Sequence, residues 1–153
     1  NKITMKTLLN TLVLTLLCYT AHAQNRLDVA KQQALAQHEL ILLNFSGSDW
    51  CIPCIKLHKE IIDTEQFKQL LNEQIIVFLN ADFPRSRKNQ LPAELKKENA
   101  NLADQYNPTG IFPYTLLLDA NGKILKSWAG LPREDRSAFC DEIRTVYQQI
   151  TRP

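Results

Sequence analysis

The sequence lacks a strong excess of charge of either sign. It has 18 lysine and arginine residues against 16 aspartate and glutamate residues, which gives a formal net charge of +2. A charge this small does not indicate a general affinity for nucleic acid or for an anionic membrane. The basic segment from Arg85 to Lys88 is short and has no interleaved aromatic residues, so no nucleic-acid partner is expected.

The sequence also lacks an apolar run long enough to cross a bilayer. The segment Leu8–Leu17 is mostly apolar but is interrupted by Asn10, Thr11 and Thr15. It is shorter than the roughly 20 residues that a spanning helix needs.

Low-complexity tracts and internal repeats are missing as well. A chain of 153 residues with these properties is expected to form one domain with a hydrophobic core.

The amino-terminal residues have the pattern of a cleaved signal peptide. Lys2 and Lys6 accompany the apolar segment, and Ala21-His22-Ala23 has the small residues of a cleavage site. We therefore expect residues 1–23 to be a signal peptide and residues 24–153 to form a single domain. The expected location is the bacterial periplasm, or another location reached by export.

Two further residues bear on this segment. Met5 offers an initiator, and Cys18 offers an alternative lipoprotein signal. Leu17 disfavours the lipoprotein, because such signals carry a small residue immediately before the cysteine. Export matters to the chemistry of the chain, since disulfides persist outside the cytosol.

The most informative part of the sequence is a pair of cysteines, Cys51 and Cys54, in a C-x-x-C arrangement. The apolar run Glu39–Phe45 precedes the pair and predicts a buried strand. The helical pattern Ile55–Asp63 follows it. The pair is therefore expected where a strand ends and a helix begins.

This position makes Cys51 the expected nucleophile. The first turn of a helix has unpaired N–H groups and a partial positive charge, which stabilise a thiolate. Cys54 lies one helical turn further on, so the two sulfurs can form a short disulfide and Cys54 can resolve a mixed disulfide. Pro53 suits the first helical turn, where a proline loses no helical hydrogen bond.

A structural disulfide and a zinc site stay open as alternatives to redox chemistry at the pair. A structural disulfide would close a loop too short to restrict the unfolded chain much. A zinc site would need four ligands, whereas the sequence nearby adds only His58 and contains no second C-x-x-C pair. No metal site is therefore expected, and we interpret His58 as an ordinary, partly exposed helical histidine.

Removal of the signal peptide would leave an odd number of cysteines, Cys51, Cys54 and Cys140. Cys140 shares an apolar helical face with Ile143 and Tyr147. We interpret it as a small buried hydrophobic residue rather than as a third redox thiol.

The remaining apolar patterns predict an alternating order of helices and strands. Crossover helices imply that the first two strands are parallel, and Asn121-Gly122 predicts a two-residue type I′ hairpin that makes the last two antiparallel. The predicted helices are Asn25–His38, Ile55–Asp63, Ala93–Tyr106 and Ser137–Ile150, and the predicted strands are Glu39–Phe45, Ile75–Leu79, Thr115–Asp119 and Lys123–Trp128.

With these elements in place, the chain resembles the thioredoxin-fold family. Trp50-Cys51-Ile52-Pro53-Cys54, after a strand, resembles the W-C-x-P-C site of thioredoxins. The segments Gly47–Cys51, Asp82–Pro84 and Phe112–Asp119 are similar to stretches of exported bacterial thioredoxin-like proteins and of the thiol-carrying domain of membrane disulfide reductases. The resemblance implies an α/β fold, a thioredoxin-like mixed sheet of about four to five strands with helices on both faces.

The resemblance also implies a substrate groove. Phe112-Pro113 stands just before the third strand, where the family has a cis-proline that faces the cysteine pair. Pro113 would then be cis, Phe112 would offer its backbone to a cysteine peptide, and Trp50 and Pro53 would shape the groove. Pro108 is a rival that lies further from the strand, and an ordinary trans proline at Pro113 stays open.

The chain departs from the family at two places. Asn44 stands where thioredoxins have a buried aspartate, and an amide cannot take a proton as a carboxylate does, so a proton relay at Asn44 is in doubt. Asp49 is expected to face solvent and does not replace it. Tyr114 follows the expected cis-proline where thioredoxins have threonine, with Thr115 one place later, so a more aromatic groove rim is expected.

The resemblance implies an enzyme, a thiol–disulfide oxidoreductase that acts on cysteines of exported proteins. The likeness to reducing pathways favours a reductase. No dissociable cofactor is required, a membrane redox partner is expected to exchange electrons with the pair, and the protein is expected to be a monomer. The alternative is a binding module on the same scaffold, which holds unfolded chains or a metal ion and whose cysteines are not catalytic.

Overall fold

The structure, a computed structural model, describes residues 25–133 and 135–151; the predicted signal peptide lies outside them and stays a prediction. None of the helices in this part of the chain has the length and hydropathy of a membrane span. The helices are α1 (Arg26–Gln37), α2 (Ile52–Leu57), α3 (Glu65–Asn72), α4 (Ala93–Tyr106) and α5 (Arg136–Thr151). The strands are β1 (Leu40–Ser46), β2 (Ile76–Asp82), β3 (Tyr114–Leu118) and β4 (Ile124–Ala129).

The strands form one mixed sheet in the order β2-β1-β3-β4. β1 pairs with β2 in parallel and with β3 antiparallel, and β3 pairs with β4 antiparallel. This arrangement confirms the predicted mixed sheet with a parallel first pair and an antiparallel last pair. The carboxyl ends of β1 and β2 consequently lie side by side.

Helices cover both faces of the sheet, as predicted. Alternate residues of β1 point to opposite faces, and all seven of its residues are buried. One face packs α2, α3 and α5 against the sheet, and the other packs α1 and α4. The first core includes Leu40, Leu42, Leu57, Phe67, Phe139 and Ile143, and the second includes Leu27, Ala30, Ile41, Leu43, Phe45 and Leu102.

The helix that follows the cysteine pair begins earlier than predicted and changes form. The pattern predicted a helix from Ile55, but α2 begins at Ile52 because Cys51 already caps it. α2 then continues as a π-helical segment, His58–Ile62. A sulfur cap is not among the side-chain signals that mark helix starts in sequence, which accounts for the error.

The helix α3 was not predicted at all. Thr64 caps it by accepting a hydrogen bond from the N–H of Phe67 at 3.4 Å. Phe67 and Leu70 are buried against the first core. Phe67, Leu70 and Leu71 follow the i, i+3, i+4 spacing of an amphipathic helix, so the sequence held a helical pattern that the prediction overlooked.

The strand β2 runs on to Asp82, although the prediction ended it at Leu79. The ladder continues because β1 extends to Ser46, which pairs with Asp82. Asn80 lies opposite Asn44, and the Nδ2 group of Asn44 donates to Oδ1 of Asn80 at 2.9 Å. Cross-strand pairing therefore keeps polar residues in a strand that their type alone does not favour.

The hairpin turn also differs from the prediction. A type I′ turn needs a positive φ at both Asn121 and Gly122, but only Gly122 has one, at 87°. The loop is wider and is organised by Asp119, whose carbonyl oxygen accepts from the N–H of Gly122 at 2.9 Å. The Asp119 carboxylate accepts from the N–H groups of Asn121 and Lys123, each at 2.9 Å. An aspartate that pairs with nearby amides in this way sets the turn.

We predict that Leu42→Ala lowers the free energy of unfolding by about 2–5 kcal/mol, because Leu42 is 1% exposed in the central strand. Leu35→Ala is the matched control, since Leu35 is 58% exposed on α1 and its loss should change stability by less than about 0.5 kcal/mol. Urea denaturation monitored by circular dichroism measures both. Equal costs at the two positions would contradict the assigned core.

Candidate active site

The cysteine pair lies immediately after the carboxyl end of β1, and the two sulfurs form a disulfide. Cys51 caps α2, and its Sγ accepts a hydrogen bond from the N–H of Cys54 at 3.3 Å. The N–H of Cys51 donates to the carbonyl oxygen of Gly47 at 2.9 Å, which holds the loop before the helix. The strand-to-helix position predicted from the sequence is thus observed.

The two cysteine residues differ in their exposure to solvent. Cys51 is 5% exposed and Cys54 is fully buried at 0%. Cys51 is therefore the sulfur that an incoming group can reach. The N–H of Cys54 points at that sulfur and would stabilise its thiolate form, as hydrogen bonds to a charged group do.

The indole of Trp50 joins the cysteine loop to the end of β2. Its Nε1 donates to the carbonyl oxygen of Phe83 at 2.7 Å. Gly47 permits this packing, because a Cβ at that position would lie 2.4 Å from the nearest indole atom. The Arg85 guanidinium lies 3.7 Å from the centre of the Trp50 ring, a cation–π contact.

The Phe112–Pro113 peptide bond is cis, as the resemblance implied. The ring of Phe112 meets Trp50 edge-on, with centroids 5.4 Å apart, and meets Phe83 in the same manner at 5.5 Å. Pro113 is buried, and its carbonyl oxygen accepts from the N–H of Gly130 at 2.8 Å. Three distant segments of chain therefore meet beside the disulfide through an aromatic cluster of Trp50, Phe83 and Phe112.

A groove of about 590 Å³ borders this aromatic cluster. Its lining includes the three aromatic rings with Pro84, Arg85 and Lys96. Two of the residues expected to shape a groove, Trp50 and Phe112, therefore do line one. Pro53 and Pro113 are not among its lining residues, and Pro53 is exposed on α2.

Phe83 and Arg85 were missed as candidate site residues. The signal that could have found them is topological, because they follow β2, whose carboxyl end lies beside that of β1. Residues that follow neighbouring parallel strands converge at one edge of the sheet. The Tyr114 ring, expected at the groove rim, stacks on Phe45 with centroids 6.4 Å apart and is not among the residues that line this groove.

The amide of Asn44 is fully buried and bridges three strands. Its Nδ2 donates to Oδ1 of Asn80 at 2.9 Å, and its Oδ1 accepts from the hydroxyl of Thr115 at 3.0 Å. These bonds satisfy Asn44 as a cross-strand tie. A carboxamide is neither an acid nor a base near neutral pH, so the relay in question at Asn44 gains no support from the geometry.

Cys140 is buried at 3% exposure in the first core and carries a thiol. This agrees with its interpretation as a small hydrophobic residue.

Within residues 25–133 and 135–151, no cluster of three or more His, Cys, Asp or Glu side chains is arranged to hold a metal ion.

The carboxylate of Asp49 organises the loop that carries Arg85. It accepts from the N–H of Arg85 at 2.9 Å, from the N–H of Ser86 at 2.8 Å and from Nδ2 of Asn89 at 3.0 Å. The bond from the Arg85 backbone is the main cause that lowers the pKa of Asp49 below its ordinary value, and Ser86 and Asn89 act in the same direction. Asp49 therefore holds the side of the groove at which Arg85 lies.

We predict that the Asp49 carboxyl titrates below the ordinary aspartate pKa of about 3.9. Because its folded-state pKa is lowered, the clamp is fully present above that value and is lost as the pH falls through the folded-state pKa. Asp49→Ala should accelerate amide hydrogen exchange at Arg85 and Ser86 severalfold, and Asp104→Ala on α4 is the control. NMR checks both. Unchanged exchange in Asp49→Ala would show that the clamp is not formed in solution.

A comparison with known proteins agrees with this geometry. A family model described as a thioredoxin-like domain matches residues 27–144. The disulfide bond reductase DsbH of Chlamydia pneumoniae is 38% identical over 96 residues, which are 63% of this chain and 55% of that protein. The chain thus matches about half the length of this curated relative.

Solved structures give the same result. The structure of a DsbH oxidoreductase has a TM-score of 0.68 and 31% identity, and the match covers 78% of this chain and 79% of that one. The oxidised carboxyl-terminal domain of DsbD from Neisseria meningitidis has a TM-score of 0.51 at 16% identity, over 78% of this chain and 88% of that one, which shows the fold alone. From the family model, the sheet topology and the cysteine pair at the start of α2, we conclude that the chain belongs to the thioredoxin-like domain family.

Proposed function

We propose that this protein is a thiol–disulfide oxidoreductase that reduces disulfides of exported proteins. The observation that carries the proposal is the geometry of the pair. Cys51 and Cys54 form a disulfide at a helix start, beside an aromatic groove. The name of the Chlamydia pneumoniae relative, a disulfide bond reductase, supports the reducing direction.

The first step is attack by the reduced protein on a substrate disulfide. The Cys51 thiolate, stabilised by the N–H of Cys54, attacks one substrate sulfur. A bond forms between Cys51 and that sulfur, and the second substrate sulfur leaves as a thiolate and takes a proton. Cys51 performs this step because Cys54 is fully buried.

The second step releases the substrate. The Cys54 thiol loses its proton and attacks the Cys51 sulfur, the mixed disulfide breaks, and the remaining substrate sulfur leaves as a thiol. The substrate gains two electrons and two protons, and the protein pair becomes the disulfide seen in the structure. Turnover then requires a dithiol donor, which we propose is a membrane redox protein.

The groove supplies the recognition. Trp50, which precedes Cys51 in the chain, presents apolar ring surface to the groove together with Phe83 and Phe112, and Arg85 and Lys96 present positive charge there. We propose that the backbone of Phe112, which precedes the cis bond, pairs with an extended substrate segment. The predicted signal peptide, residues 1–23, supports an exported location.

We predict that Cys54→Ser accumulates a mixed disulfide with substrate through Cys51, because the resolving thiol is gone. Cys51→Ser should trap nothing, because the remaining thiols of the domain, Cys54 and Cys140, are buried. In both variants, turnover of a disulfide substrate should fall to the uncatalysed background. Acid quench, thiol alkylation, non-reducing gels and mass spectrometry measure the trapped species.

The matched control for these variants is Cys140→Ala, which removes a thiol from the first core. It should retain turnover once corrected for folded protein. The enzyme proposal fails if Cys51→Ser turns over substrate as the unsubstituted protein does.

We also predict that the cysteine pair is mostly reduced in living cells. A reductase in an oxidising compartment must be supplied with electrons faster than it loses them. Rapid acid quench followed by alkylation reports the redox state of Cys51 and Cys54. A mostly oxidised pair would contradict the reducing direction and favour an oxidase or a static disulfide.

A further inference from the structure

His58 lies one helical turn after Cys54 and has an unusual environment. Its backbone N–H donates to the carbonyl oxygen of Cys54. Residues four apart on a helix have Cβ atoms about 5–6 Å apart, so the side chains of His58 and Cys54 start from neighbouring positions on the helix. The Nε2 atom of His58 is buried and has no hydrogen-bond partner within the described residues. The interpretation of His58 as an ordinary helical histidine is therefore incomplete.

Burial of a nitrogen without a hydrogen-bond partner costs free energy of folding, so the surroundings of His58 bear on its role. His58 and Asn80 line a cavity of about 270 Å³ between the π-helical segment and the end of β2. Ser48, Ile55, Lys59 and Asp63 complete the lining and are exposed or half-buried, so the cavity meets solvent. Its volume accommodates several waters at about 30 Å³ each.

The reaction needs a proton acceptor in this part of the protein. Cys54 is 0% exposed, and its thiol must lose a proton before it can attack Cys51. Asn44 occupies the buried polar position in β1, but its amide is bonded to Asn80 and Thr115 and cannot take a proton. The imidazole of His58 can bind a proton, and it lies on the helical turn that follows the thiol.

We propose that His58 accepts the proton of Cys54 when Cys54 resolves the mixed disulfide. The inference rests on the proposed thiol–disulfide exchange. In the step, the S–H bond of Cys54 breaks, the Cys51–Cys54 bond forms, and the mixed disulfide breaks. The substrate sulfur leaves with the electron pair, and the proton goes to the imidazole of His58, which lines the cavity that meets solvent.

The ionisable groups that face this cavity besides His58 are Lys59 and Asp63. They belong to the same helical segment and the turn after it. β2 contributes the amide of Asn80, whose backbone carbonyl oxygen accepts from Nη1 of Arg26 at 3.0 Å. Asp82, further along β2, is engaged by Ser48, whose N–H and hydroxyl donate to it at 2.8 and 2.6 Å.

The experiment follows both chemical steps with a chromogenic aromatic disulfide in stopped flow. The first release of coloured thiol reports attack by Cys51, and the second reports resolution by Cys54. We expect His58→Gln to slow the second phase at least about tenfold at neutral pH and to remove one inflection from its pH profile. The first phase should keep its rate. Free imidazole should partly restore the second phase in His58→Ala.

His38→Gln is the matched control, because His38 is exposed at the end of α1, next to the amino end of β1 and away from the pair. An unchanged second phase in His58→Gln overturns the inference. So does a slower phase with the same pH profile and no effect of imidazole, since that result describes a structural role. Absence of both phases in the unsubstituted protein would instead show that the proposed function is wrong.

Discussion

The structure depends on the double pairing of the buried central strand. β1 bonds to β2 on one edge and to β3 on the other, and all seven of its residues are buried. Its alternating side chains contribute to both cores, so the helices on both faces are positioned relative to one strand. The cysteine pair follows this strand directly. Buried central strands are among the least mobile elements of a sheet. The attachment of the cysteine pair to such a strand helps to keep the two sulfurs at a fixed spacing.

The surroundings of the pair come from segments that are distant in sequence. Trp50 bonds to Phe83, which is 33 residues away, and packs against Phe112. The parallel pairing of β1 with β2 brings Phe83 to Trp50, and the antiparallel pairing of β1 with β3 brings Phe112 to Trp50. The groove is therefore a product of sheet topology, and its shape follows from where three strands begin or end.

The buried polar groups of the sheet and of the helix after the pair are arranged in two ways. Asn44, Asn80 and Thr115 satisfy one another across three strands, and such a network stabilises strand register while it offers no ionisable group. His58, in contrast, keeps a buried nitrogen without a partner among the described residues. The hydrogen-bonded network of Asn44, Asn80 and Thr115 therefore has a structural role, and the imidazole of His58 has the proposed chemical role.

The sequence by itself determined the alternating order of helices and strands, the mixed sheet and the strand-to-helix position of the cysteine pair, because each depends on local periodicity. The resemblance added the cis bond at Pro113. Only the structure showed the start of α2, the length of β2, the hairpin turn at Asp119, and the meeting of Phe83 and Arg85 with Trp50. The start of α2 and the turn depend on side-chain hydrogen bonds of Cys51 and Asp119 to nearby backbone. The other two features depend on pairing between distant residues, and no local pattern in the chain records which residues will meet.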